Sequence, residues 1–276
     1  MKSVHVALAA GAALGLASTQ ASASLITDWD FSGSLKWVTD GAGAPTFTDS
    51  DSGGTTVQED HLSWGAEGDF TNPDGTFNNA GTDSRTRRSA VQIEDTDFSG
   101  SVETNGAAQD TTEITHYNNA ILTEFPLLKT ATLLSSLQLT QAAPAGDGSF
   151  DDDRVFPIFF EETANTAPCG FPEQTGDPCA DIFVLGNGDA LQTTFTVDGF
   201  AYTVSILAGG LGPLSDEACE ITGASAGCIG FVTEENEITT AQFQLQITAV
   251  PVPAPATLGL LGIGLLGMGL AAARRR

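Results

Sequence analysis

The amino-acid sequence predicts an all-β protein, built as a single β-sandwich or jelly-roll-like domain. Three observations carry that prediction. Short runs alternate apolar with polar residues and are rich in β-branched side chains, the period-two signature of strands with one buried face. Turn formers are abundant, with 31 Gly and 12 Pro among 276 residues. Asp198-Gly199 sits between Thr194–Val197 and Phe200–Val204, the spacing of a two-residue hairpin turn. Hydrophobic residues make up 41% of the chain, enough to fill a sizeable core.

In chain order, predicted strands include Leu35–Thr39, Glu113–Leu122, Val155–Phe160, Leu191–Val197 and Gln242–Thr248. Ala131–Leu139 suits either a helix or a strand, because its periodicity favours neither. Roughly nine to eleven strands are expected, at the intervals of a sandwich. Asp40–Thr56 and Gly65–Ser84, rich in Gly, Asp, Asn and Thr, read as surface loops. Phe159-Phe160-Glu161-Glu162 and Phe231-Val232-Thr233-Glu234-Glu235 echo each other, too briefly to count as a repeat. No break in composition splits the middle, so residues 24–249 are expected to form one domain.

Charge narrows the range of functions. Asp and Glu outnumber Lys and Arg by 35 to 10, for a net charge of −25. Four of the ten basic residues are Lys2, Arg274, Arg275 and Arg276, so the body is more acidic still. Such a surface repels phosphate backbones, which excludes nucleic acid as a partner. Of the three histidines, His5 lies in the leader, leaving His61 and His116. A three-histidine zinc site is therefore excluded within one chain.

The two ends read as addresses. Met1-Lys2, an apolar run from Val4 to Ala17 and Ala21-Ser22-Ala23 have the order of a secretory signal peptide, with residues 1–23 removed. At the other end Val250-Pro251-Val252-Pro253-Ala254-Pro255 breaks regular structure, and Ala256–Ala273 follows without a charge. As a helix that stretch spans roughly 27 Å at ~1.5 Å per residue, just enough for a bilayer core. Arg274-Arg275-Arg276 closes it, and the positive-inside tendency keeps those arginines cytoplasmic. The glycines of the run never fall at a GxxxG spacing, so no packed helix dimer is indicated.

Pro-rich spacer, apolar helix and terminal arginines, over residues 250–276, together resemble the PEP-CTERM sorting signal of Gram-negative bacteria. The Pro-Glu-Pro of that family is here Pro253-Ala254-Pro255. The resemblance implies recognition and cleavage by exosortase, a transpeptidase-like membrane enzyme. It also implies a transient inner-membrane anchor, followed by release to the cell surface or extracellular matrix. A permanent single-pass anchor is the alternative.

Thr115-His116-Tyr117-Asn118 lies within a predicted strand. Motif, leader and tail together resemble the THxN family of PEP-CTERM proteins, with Tyr117 at the variable position. Leu62-Ser63-Trp64-Gly65 and Asp181-Ile182-Phe183-Val184-Leu185 are compatible with that family. The resemblance implies sorting but brings no catalytic activity. Period-two geometry sets His116 and Asn118 on one face and Thr115 with Tyr117 on the other. The pair forms either a small polar site or a buried cluster tying the strand to a neighbouring loop, since buried polar groups must be paired. No positioned nucleophile accompanies the histidine, so no catalytic residue is assigned.

Cysteine use fits export. Cys169, Cys179, Cys219 and Cys228 fall as two local pairs, and an oxidising compartment favours disulfides Cys169–Cys179 and Cys219–Cys228. Four thiolates on one zinc would compete, but neither spacing is CxxC. No cofactor is expected, with calcium as the exception to consider. Asp49, Asp51 and Asp60 echo an EF-hand loop, and Asp147, Asp151 and Asp153 alternate in a second acidic stretch. Trp29, Trp37 and Trp64 are either core or a sugar-stacking platform. Glu161-Glu162 is one of many acidic pairs that glycoside hydrolysis could use.

The expected function is a non-enzymatic cell-surface or matrix protein, associated with exopolysaccharide or biofilm. The alternatives are a calcium-dependent carbohydrate-binding module and a carboxylate-dependent glycan hydrolase or lyase.

Overall fold

The structure is a computed structural model that describes residues 24–48, 54–65, 88–119, 121, 124–162 and 179–253. The predicted leader, the tail beyond Pro253, Asp49, Asp51 and Cys169 lie outside these residues. The strands are β1 (Asp28–Trp37), β2 (Thr46–Phe47), β3 (Thr56–Val57), β4 (His61–Trp64), β5 (Ser89–Ile93), β6 (Asp97–Glu103), β7 (Gln109–Tyr117) and β8 (Leu128–Ala143). They continue with β9 (Ser149–Glu161), β10 (Asp181–Leu185), β11 (Gln192–Val197), β12 (Phe200–Gly209), β13 (Gly212–Pro213), β14 (Ile229–Thr233) and β15 (Ile238–Pro251).

Two sheets result. The first runs β13-β14-β10-β9-β8-β1-β6, with β2 beside β8, and the second runs β11-β12-β15-β7-β5-β4-β3. Neighbouring strands within each sheet pair antiparallel. Side chains from both sheets meet in a shared interior. Alternation along β1 shows why: Trp29, Phe31, Leu35 and Trp37 are buried, while Asp30 and Ser32 between them face outward or sideways. The all-β prediction holds.

Details differ from expectation. Fifteen strands are present among the described residues, in part because β2, β3 and β13 are two-residue pairings too short to show a period. Ala131–Leu139 is strand, lying inside the sixteen-residue β8. The strand predicted over Glu113–Leu122 starts earlier and stops at Tyr117. The Asp198-Gly199 turn joins β11 to β12 as predicted, with φ of 47° and 76° at its two residues. Both values are positive, as a hairpin turn that matches strand twist requires.

One helix was not signalled by periodicity. α1 (Asp216–Thr222) is seven residues long and is capped by Ser215, whose hydroxyl accepts from the Ala218 N–H. Ala218 packs on Ile182 and Val184 of β10, while Phe183 and Leu185 face the main interior. Covered on both faces, β10 is buried at every residue, which explains its unbroken apolar run. Cys219 of α1 is disulfide-bonded to Cys228. Cys179, next to β10, is disulfide-bonded too.

Candidate functional site

The THxN strand β7 lies in the second sheet, between β15 and β5. His116 on its inner face and Asn118, the residue just past its end, are both fully buried. Of the two alternatives left open by the sequence, the buried cluster is what the hydrogen bonds form, but its partner is a strand of the opposite sheet instead of a neighbouring loop. His116 Nδ1 lies 2.9 Å from Thr233 Oγ1, and Asn118 Nδ2 donates to the Thr233 carbonyl at 2.9 Å. One residue of β14 thus receives both motif side chains and ties the sheets together. On the other face Thr115 Oγ1 meets its cross-strand neighbour Thr240 Oγ1 at 3.0 Å.

Aromatic rings enclose the histidine. Trp64 stacks at 6.3 Å, and Phe160 meets it edge-on at 5.1 Å. Burial lowers the His116 pKa to about 3, so the ring is neutral. The Trp64 indole N–H donates to Glu162 Oε2 at 3.0 Å. All three tryptophans are core residues, with at most 1% exposure, which removes the sugar-stacking platform.

Glu162 leads to a group the sequence did not single out. It follows β9, Asp181 opens β10, and Glu235 lies two residues past β14. Because β10 pairs antiparallel with β9 on one side and β14 on the other, the ends of all three strands fall at one edge. Carboxylate oxygens of Glu162, Asp181 and Glu235 lie within 4.8 Å of one another, and all three residues are buried. Burial is the first reason the Glu162 pKa rises to about 8, and Glu235 adds repulsion. Burial likewise raises Glu235 to about 7.

The echo between Phe159–Glu162 and Phe231–Glu235, too brief to count as a repeat, is the trace of this arrangement in the sequence. Phe160 and Phe231 both stand opposite Phe183 of β10, so the two similar segments flank one strand in parallel, each ending in a buried glutamate.

The acidic residues proposed for calcium are arranged differently. Asp60 Oδ1 lies 3.0 Å from His61 Nδ1. Asp147 is exposed in the turn before β9, while Asp151 and Asp153 point outward from β9. Gln138 donates to Asp151. Among the described residues, Glu162, Asp181 and Glu235 are the acidic group close enough to share one ion. Asp151 and Asp153 instead line an open cleft of about 660 Å³ on the outer face of the first sheet, with Asp97, Ser34, Ser99, Ser136 and Gln138.

The folded body meets its tail at Pro251, the last residue of β15, and the Val252 N–H still donates to the Gly199 carbonyl at 2.8 Å. Residues 251–276 match the PEP-CTERM protein-sorting motif. That motif implies processing by exosortase and sorting to the cell surface. Neither the curated proteins nor the solved structures give a match.

Proposed function

We propose that this chain is a non-enzymatic surface or matrix protein of the THxN type, released from a transient inner-membrane anchor by exosortase. The carrying observation is that the sorting motif begins where the sandwich ends, with no domain between them. The THxN residues then serve the fold. His116 and Asn118 are sealed between the sheets and engaged with Thr233, a place where substrate has no access. Intact-mass analysis of the protein from its native host should show loss of the segment after about Pro255. A full C-terminus ending in Arg276 on the surface protein would overturn this reading.

A second reading, polysaccharide binding, is favoured by the outer cleft. Its hydroxyl, amide and carboxylate lining offers the donors and acceptors that sugars use, in keeping with a place in exopolysaccharide or biofilm. Affinity electrophoresis in the host's own polysaccharide should show retardation that weakens in an Asp151→Ala, Asp153→Ala double variant. Release of reducing sugar would instead support the hydrolase or lyase alternative.

A further inference from the structure

Three carboxyl groups buried together need protons, basic partners or a metal ion, because charge withdrawn from water is costly. Glu162, Asp181 and Glu235 are each at most 7% exposed. Among the described residues, the side chains that act on Glu162 are Trp64, Asp181, Glu235 and Glu161, none of them basic. Among the described residues, Glu162 Oε1 and both carboxylate oxygens of Glu235 have no hydrogen-bond partner.

An independent observation comes from the opposite sheet. Asn118 is 1% exposed, and its Nδ2 is fixed on the carbonyl of Thr233, the residue in register with Asp181. Its Oδ1 has no partner among the described residues. The bond to Thr233 thus holds this buried amide oxygen at the strand end that carries Asp181, and an amide oxygen with carboxylates is the mixed oxygen set that hard cations take.

We propose that Glu162, Asp181 and Glu235 hold a calcium ion between the two sheets, with the Asn118 amide oxygen beside it. The donors are all oxygen, with no thiolate or free imidazole among the three carboxylates, which selects against zinc and copper. Size agrees with calcium. Two ligands of one ion stand apart by at most twice the metal–oxygen distance, about 4.6–5.2 Å for calcium and roughly 4.0–4.2 Å for magnesium. The carboxylate oxygens here lie within 4.8 Å of one another, inside the calcium limit. Bound there, the ion would join the ends of β9, β10 and β14 beside the strand that carries the THxN motif. This site is independent of how the tail is processed.

The test uses the full chain, solubilised in detergent, stripped with EDTA and titrated with CaCl2. A single calcium ion per chain by metal analysis and a saturable rise in melting temperature are expected, with a smaller rise for MgCl2. Glu235→Gln keeps the side-chain size and should abolish the calcium response. Asp151→Asn, on the outer cleft, should keep it. Terbium, which replaces calcium and is excited through nearby indoles, gives a readout on the wild-type fold. Its sensitised emission should fall in Trp64→Phe and persist in Trp29→Phe. No calcium-dependent change in melting temperature, or a response unchanged by Glu235→Gln, would overturn the proposal. So would terbium emission that follows Trp29 instead of Trp64.

Discussion

Two regions of the interior are each organised around a fully buried indole, and they treat their polar atoms in opposite ways. Around Trp29 the account closes: Nε1 donates to Thr104 Oγ1, Thr104 Oγ1 donates to the Ile26 carbonyl, and the Ile26 N–H donates to the Tyr202 hydroxyl. Tyr202 and Phe195 pack against the indole at 5.3 and 5.6 Å. Around Trp64 the account stays open. Among the described residues, Asn118 Oδ1, Glu162 Oε1, both oxygens of Glu235 and His116 Nε2 are left over, and all but the ring nitrogen are acceptors when the carboxyls are ionised. A region built only for stability pairs its polar groups, whereas one with surplus acceptors is short of positive charge. The contrast marks the Trp64 region as the place where a ligand changes the energetics.

The largest effect should come from the indoles themselves. Trp29→Ala and Trp64→Ala should each cost about 3–5 kcal/mol through lost burial and a residual cavity, read from denaturant unfolding under non-reducing conditions. Equal losses would show that both rings are core. A loss near zero at Trp64 would break the comparison, because it would mean that this region packs loosely.

Next come the ties between the sheets. His116→Ala and Asn118→Ala should each cost about 1–3 kcal/mol, since each leaves a buried partner on Thr233 unsatisfied. Thr115→Ala removes only a cross-strand Thr–Thr contact, worth roughly 0.2–1 kcal/mol. Melting curves of the three variants give the order. Thr115→Ala matching His116→Ala would refute the assignment of the tie to the inner face.

The smallest effect sharpens the Trp29 side. Tyr202→Phe deprives the Ile26 N–H of its acceptor, at a cost of about 1 kcal/mol. Burial raises the Tyr202 pKa above its ordinary 10.0, so the folded state favours the neutral phenol. Its contribution is complete below about pH 10 and is lost as pH rises through the raised value. Wild type should therefore lose melting temperature above about pH 10 more steeply than Tyr202→Phe. Parallel curves would show that this hydroxyl is not sealed in the closed network.

Fold class was legible because period-two alternation is a local property, and β1, β9, β11 and β15 display it openly. β10 was harder: covered by α1 on one face and the main interior on the other, it has no polar phase to alternate with. His116 and Asn118 were rightly expected to act together, but their partner was not legible, since Thr233 is more than a hundred residues away. The carboxylate group was invisible as a motif. Glu162, Asp181 and Glu235 become neighbours only through the β9-β10-β14 pairing order, and the short echo around Phe160 and Phe231 was its sole trace. The sorting tail, by contrast, is contiguous, and its order of parts was readable without a fold.

The position of β15 carries a consequence for the timing of assembly. Among the described residues it is the last strand in sequence, yet it sits inside the second sheet, between β12 and β7. Until residues 238–251 have cleared the export channel, β7 and β12 each present an unpaired ladder, the kind of open edge that invites association with other chains. The long sequence separation between β7 and β15 also makes this a slow closure. Pro251 is both the final residue of that strand and the first of the sorting motif. Completion of the sheet and presentation of the tail are thus one event, and a chain whose tail is held short of the exit remains unfinished.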